Sequence, residues 1–415
     1  MLGLLEVTMQ KLGKEIGCTL IITGTCVGAG MLALPLVTAN CGFLVSMFLL
    51  IACWALMTTT ALFFLEVNLA FKPGTSFDTM SFHTLGKIGR FITWLTILLL
   101  LYSVVSAYIS GGSSLLVTAF DLFWHIKISN VISAVVFTCV LGGVVVSGTG
   151  PVDYTNRVLI ALKFSIFAFI IVVLVPSVKL TLLTQKLVHF QYALYALPIL
   201  LASFGFHVVL PSIRTYFGDD VKRLRRIVFV GTGLPLVIYF IWEIVTLGVL
   251  PLFGEHSFTA IHNTNGSVGA LVLNLRDYLN KPTVTYGFDL FTDIAVTTSF
   301  LGASLGLFDF IHDGLQFKKR TVLSRSITAI ATFGLPLSFA LFYPEGFILA
   351  LGYAGIFSAI SLVILPALMV LKLRKSGLKS QYTVNVGKPI LWIVIASGLF
   401  VIFLQVLVNF GYMQG

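Results

Sequence analysis

Lys163 is the residue whose type and place most demand a chemical reason. It closes the run Asn156-Arg157-Val158-Leu159-Ile160-Ala161-Leu162-Lys163-Phe164, and from Phe164 to Val175 the only polar residue is Ser165. An ammonium one or two turns inside an apolar helix is costly in a membrane and marks a functional site unless the side chain snorkels to the interface. The depth of Lys163 is compatible with both readings. In the functional one, the amine gains and loses a proton at a place where another carrier would hold a coupling cation, with the hydroxyls of Thr297, Thr298 and Ser299 opposite it. His207 is the other titratable group beside an irregular stretch, able to bond a ligand, relay protons or serve as polar packing. Glu66 is placed to pair with a cation, Glu243 lies deeper, and Asp293 and Asp309 flank one apolar run. The sequence has no HExxH, no nucleophile elbow and no phosphate-binding Walker loop, so metalloprotease, hydrolase and ATP-driven chemistry have no support. No cofactor and no metal site is expected.

Two glycine-bearing stretches supply backbone chemistry. The first reads Gly24-Thr25-Cys26-Val27-Gly28-Ala29-Gly30-Met31-Leu32-Ala33-Leu34-Pro35. The second reads Ser203-Phe204-Gly205-Phe206-His207-Val208-Val209-Leu210-Pro211-Ser212 and starts roughly 180 residues later. Glycine permits tight dihedrals and close approach, and proline withholds a donor. Such backbone is tolerated in lipid only where it lines a cavity or a ligand completes its hydrogen bonds. Packing of helices through small residues is the competing explanation. A pair of interruptions at matched places favours a midplane binding site. The N–H groups from Val27 to Gly30, with a half-helix dipole behind them, suit a carboxylate. Carbonyls near Ser203 and Phe204 suit an ammonium, so that together the two stretches would hold the common part of an amino acid. Tyr108, Phe204, Phe206 and Phe300 are candidate aromatic walls. The candidate ligand-binding residues are thus Gly24, Thr25, Val27, Gly28, Ala29, Gly30, Tyr108, Ser203, Phe204, Gly205, Phe206, His207 and Phe300, and the candidate ion-coupling residues are Lys163, Thr297 and Thr298.

The elements that position these groups are membrane helices. Of 415 residues, 58% are apolar and 10% charged, against roughly 25% charged in a soluble domain. A chain of this length with so little polar surface is solvated mainly by lipid, which excludes an ordinary soluble enzyme, a disordered chain and a nucleic-acid reader. Apolar runs of about 20 residues predict eleven spans, at 15–39, 42–70, 91–120, 130–148, 155–176, 193–215, 227–250, 288–311, 325–343, 346–370 and 389–410. The stretch 251–287, with Asn263, Asn265, Gly266, Arg276 and Asp277, reads as a solvated loop with a short helix at most. The first apolar run is longer than a signal-peptide core and reads as a retained span. Five cysteines (Cys18, Cys26, Cys41, Cys53 and Cys139) lie in apolar runs without CxxC spacing, so no disulfide framework is expected. The net charge of +10 is unevenly placed. With a cytoplasmic N-terminus, 20 of the 26 Lys and Arg fall in cytoplasmic segments and five outside, Lys163 being the remaining one. That bias predicts a cytoplasmic N-terminus and, from the odd span count, an external C-terminus.

These blocks resemble a known family. Gly24 to Pro35, Leu65-Glu66-Val67, Tyr108-Ile109-Ser110-Gly111-Gly112 and Ser203 to His207 are similar to segments of the bacterial hydroxy and aromatic amino-acid permeases, within the amino acid-polyamine-organocation superfamily. So are Ser299-Phe300-Leu301-Gly302-Ala303-Ser304-Leu305-Gly306-Leu307-Phe308-Asp309, Ala340-Leu341-Phe342-Tyr343-Pro344 and Ala350-Leu351-Gly352-Tyr353-Ala354-Gly355. The resemblance covers essentially the whole chain and is greatest to the tyrosine-specific branch. It implies an all-α integral membrane protein with a five-plus-five inverted-repeat (LeuT-like) fold. That is one transporter domain over 1–415, with repeats over 15–176 and 193–370, discontinuous first and sixth helices, and an additional helix at 389–410. It also implies proton-coupled uptake of an aromatic amino acid, tyrosine foremost, across a bacterial inner membrane, with Lys163 standing where sodium sits in sodium-coupled carriers. Its partners would then be the aromatic amino acid, protons and the bilayer, with no nucleic acid. Cys26 within the first interruption and the stretch 251–287 depart from the pattern. A sodium-coupled or exchange carrier for tryptophan, phenylalanine or another neutral amino acid remains the alternative, followed by a non-transporting multispan protein.

Overall fold

The computed structural model describes residues 2–28, 30–184, 190–263, 267–279, 282–315, 321–378 and 380–412, and every regular element among them is helical. The chain begins with α1 (Leu2–Cys26) and α2 (Gly30–Thr38), two half-helices separated by a short break. The axis bends by 49° there. The last helical bond before the break runs from Val27 N to Thr23 O, and a tighter turn, Met31 N to Gly28 O, reopens the helix beyond it. After a turn at 39–41 come α3 (Phe43–Asn68), α4 (Phe77–Trp124), α5 (Asn130–Ser147), α6 (Thr149–Leu174) and the single turn α7 (Leu180–Leu183). A second break separates α8 (Phe190–Ser203) from α9 (Leu210–Phe217). Phe204, Gly205 and Phe206 leave the helical ladder, and a 3-10 turn at His207–Val209 restarts it ahead of Pro211.

The remainder comprises α10 (Val221–Val249), α11 (Phe258–Asn263), α12 (Val268–Leu279), α13 (Pro282–Gly314), α14 (Val322–Phe342), α15 (Phe347–Ser358), α16 (Leu365–Ser376) and α17 (Lys388–Asn409). A π-helical turn at Ala359–Ile364 joins α15 to α16. Pro366 follows it and has no N–H to give to the preceding turn. Among the described residues, ten helical stretches are long and apolar enough to cross a bilayer, and the bent pair α1–α2 is an eleventh when counted as one span.

Two expectations require correction. The helix of the third span, expected over 91–120, begins well before 91. Helix α4 starts at Phe77 and kinks at Gly86, whose φ of 79° only glycine adopts without strain. Phe77 and Met80 are buried on the inner face of this added segment, and the Asp78–Arg90 ion pair (3.0 Å) bridges the kink. The stretch 251–287 is also more ordered than a solvated loop. One face of α12, with Val268, Leu271, Val272 and Leu275, is buried, and Gly269 N donates to Ser114 Oγ of α4 at 3.3 Å. A side chain at Gly269 would meet the Ser114 carbonyl oxygen at 2.9 Å, so the close approach of these helices requires glycine. Asn265 and Gly266 lie outside the described residues.

Ion pairs tie the ends of the spans together. Glu66, at the end of α3, is buried and bonds Arg374 of α16 through both oxygens (2.8 and 2.7 Å). It also accepts from Val384 N, which draws the segment after α16 across it. Arg214 of α9 donates to the carbonyl oxygens of Asn68 and Phe71 and pairs with Asp219 at 2.7 Å. Glu15 of α1 meets Arg223 and Arg226 of α10.

Candidate functional site

The two breaks lie side by side, Gly30 against Ser203, and both line a cavity of about 650 Å³. Its wall draws on α1 (Gly17 to Cys26), α4, α6, the second break, α13 and the α15–α16 junction. Of the ligand-binding residues expected from the sequence, Gly24, Thr25, Gly30, Tyr108, Ser203 and Gly205 line it, as do Lys163 and Thr298 of the coupling set. The wall is aliphatic over much of its area, with Leu100, Leu101 and Val104 on α4, and polar at a few points: Thr25, Tyr108, Asn156, Ser299 and the Lys163 amine. The Tyr108 hydroxyl bonds the Ser299 side chain. An apolar pocket with a few convergent polar groups is the usual form of a small-molecule site.

Lys163 does not snorkel. Its side chain is buried, and Nζ donates to the Val27 carbonyl oxygen at 2.9 Å and approaches Thr298 Oγ1 at 3.5 Å. Helix α13 packs along α6, which brings Thr298 to the amine. Val27 O is a carbonyl that the break releases from the helical ladder, so the amine completes an opened backbone. Among the described residues no carboxylate lies within ion-pair distance of Lys163. Thr297, one position from Thr298 and therefore about 100° around the helix, does not reach the amine or the cavity, and the expectation for it is corrected on that ground.

Other expected residues stand behind the wall. Val27 contributes its carbonyl, not its side chain. Gly28 packs against α13, where an added Cβ would lie 2.4 Å from Ser299 Oγ. Ala29 lies outside the described residues. Phe204 is buried edge-on against Tyr239 (centroids 5.1 Å apart), Phe206 packs on His207, and Phe300 sits between Phe137 and Phe333. These three rings are core and not cavity walls. His207 is fully buried and turned to α3, where Nε2 lies 2.9 Å from Thr60 Oγ1. Its contact with α3 leaves His207 off the cavity wall.

Tyr239 of α10 was not among the expected residues. Its hydroxyl lies 2.7 Å from Cys26 O and 2.8 Å from Ser203 O, the last helical carbonyls before each break. The phenol has one hydrogen, so it donates to one of these carbonyls at a time, at the point where the negative ends of two half-helices come together. Nothing in the sequence separates it from the other twelve tyrosines, because its partners are main-chain atoms distant along the chain. Asn156, about two turns into α6, was likewise unforeseen as a wall residue, and its Oδ1 is buried without a partner among the described residues.

Residues 11–405 match the model of the tryptophan/tyrosine permease family. The chain is similar to tyrosine-specific transport system 1 of Haemophilus influenzae, with 35% identity over 97% of this chain and 99% of that protein. Similarity to tyrosine-specific transport system 2 of the same organism is 36%, over 96% and 98% of the two chains. Its tryptophan-specific transport protein is 36% identical over 97% and 98%. These relatives are transport proteins and not enzymes.

Proposed function

The chain belongs to the tryptophan/tyrosine permease family, and from that premise we propose that it imports an aromatic amino acid, L-tyrosine, by proton symport across the bacterial inner membrane. The N-terminus is cytoplasmic and the C-terminus periplasmic, a reading supported by the 20-to-5 distribution of Lys and Arg. The architecture is a five-plus-five inverted repeat, 15–176 and 193–370, followed by the helix at 389–410. Breaks in the first and sixth spans support that reading.

The observation that carries the proposal is the contact of Lys163 Nζ with Val27 O, 2.9 Å apart at the first break and beside the cavity. The Val27 N–H is already held by Thr23 O, so the substrate carboxylate accepts from main-chain N–H groups from Gly28 to Gly30, and its ammonium donates to carbonyls at Ser203 and Phe204. The ring enters the cavity between Tyr108, Gly205 and the leucines of α4. With its proton, Lys163 holds Val27 O and fixes the break in one shape. Without it the hold weakens, so the proton biases one conformation over the other by the difference in these contacts. A sodium ion at the same place would face the amine, and two cations would crowd one site. Tyrosine is the first reading because two of the relatives bear that name and the wall offers hydroxyl and amide partners to a phenol. Tryptophan is the second, since a relative of equal identity bears that name.

Labelled tyrosine uptake by the purified protein in sealed vesicles tests this reading. An inward proton gradient alone is expected to drive accumulation, and unlabelled tyrosine to compete better than tryptophan or phenylalanine. Accumulation driven by sodium alone would overturn the coupling, and stronger competition by tryptophan would reverse the substrate order.

A further inference from the structure

Glu243 takes no part in the cavity. It lies two turns before the end of α10 with no exposed surface. Thr38, the last residue of α2, places its hydroxyl oxygen 2.8 Å from Glu243 Oε2 and 2.8 Å from the Leu34 carbonyl oxygen. A carbonyl oxygen only accepts, and a threonine hydroxyl has a single hydrogen to donate. Two acceptors held at that distance leave one short contact without a hydrogen if Glu243 is ionised. A neutral carboxyl removes the conflict: Oε2–H donates to Thr38 Oγ1, and Thr38 donates to Leu34 O. The other carboxyl oxygen, Oε1, has no partner among the described residues. For the carbonyl oxygen of a neutral acid that is a modest loss, and for half of a buried anion it is a severe one.

Among the described residues, the groups around Glu243 offer no counter-charge. Cys41, in the turn after α2, is near it and brings no positive charge. Helix α3 has Glu66 as its only charged residue, bonded to Arg374. On the α6 side Lys163 is directed to Val27 O. Lys179, before α7, bonds the Tyr278 hydroxyl. On α1, Glu15 pairs with Arg223 and Arg226 at the opposite end of α10. Tyr239, one turn earlier on α10, is engaged at the breaks. From α13, Phe288 and Phe291 reach the neighbouring Trp242, and neither Asp289 nor Asp293 bonds Glu243.

We infer that Glu243 is a proton-binding site separate from Lys163: a neutral carboxyl that donates to Thr38 and fastens the second half of the broken first span to α10. Losing the proton would strand a buried anion and undo the fastening, so this packing and the bound proton go together. The site goes beyond the proposed transport reaction, and its test needs no transport.

Infrared spectroscopy of the full chain in lipid at neutral pH reads the site directly. The spectrum of the wild type minus that of Glu243→Gln is expected to contain the C=O stretch of a protonated carboxylic acid, shifted by deuteration. A difference made of carboxylate stretches would overturn the inference. Thr38→Val keeps the carboxyl and provides the check if Glu243→Gln folds poorly: the same acid band is expected to shift when its acceptor is removed. An unchanged band would contradict the pairing. Lys163→Gln is expected to leave the band in place, and its loss there would show that the two sites are not separate.

Discussion

At the first break, the Val27 carbonyl meets an ammonium, Lys163 Nζ, at 2.9 Å. At the second, the opened backbone meets only neutral donors. Phe204 N turns back to Leu201 O, Gly205 N to Ala202 O, and the Tyr239 hydroxyl approaches Ser203 O at 2.8 Å. The side chains differ in the same sense. Around the first break stand Gly24, Gly28 and Gly30, while the second buries Phe204, Phe206 and His207 in the bundle. Interruptions of similar form are thus completed by different chemistry. A backbone completed by a titratable amine responds to a proton, whereas one completed by packing and neutral hydrogen bonds responds to shape. The comparison therefore separates two roles, coupling at the first break and fit at the second.

Substitutions sharpen or break that separation. The largest effect is expected at Lys163. Lys163→Gln should reduce gradient-driven accumulation of tyrosine by more than about tenfold, the factor given by 1.4 kcal/mol, while exchange of labelled for unlabelled substrate continues. Normal uphill uptake by that variant would remove the coupling role. Next comes Gly205→Val, whose Cβ would meet Ala202 O at 3.0 Å and Leu362 Cδ1 at 3.3 Å. Equilibrium binding should weaken about tenfold. Gly30→Ala, with only an ordinary 3.5 Å contact to Ser203 Oγ, should bind more tightly than that variant.

Tyr239→Phe removes the one hydroxyl shared by the two breaks. A loss of about 1–2 kcal/mol in stability is expected, visible as a lower unfolding temperature in detergent, with both coupling and binding impaired. A variant that damages only one of them would uncouple the breaks. The smallest effect is expected for His207→Gln. His207 faces Thr60 and not the cavity, so tyrosine affinity should stay within about twofold, under ~0.4 kcal/mol.

Legibility in the sequence followed the range of the interactions. The spans and both interruptions were visible because apolar run length, glycine and proline act locally. Lys163 was visible because charge in an apolar run is conspicuous, although its depth alone left snorkelling open. Residues at a break were legible as a group but not one by one. Gly205 and Phe206 are adjacent, yet one lines the cavity and the other is core. That division depends on where the helix restarts. Tyr239 and Asn156 were not legible, since their importance lies in contacts with elements far along the chain. The segment Phe77–Leu85 falls outside the spans because it is not part of an apolar run, whereas Gly86 lets a helix continue from it into the third span with a kink.

The most direct measurement is a structure of the protein with tyrosine bound in lipid. The account predicts the substrate between the breaks, its carboxylate accepting from main-chain N–H groups from Gly28 to Gly30 and its ring between Tyr108 and Gly205. Tyrosine bound away from both breaks, or a carboxylate paired directly with Lys163 in place of Val27 O, would contradict it.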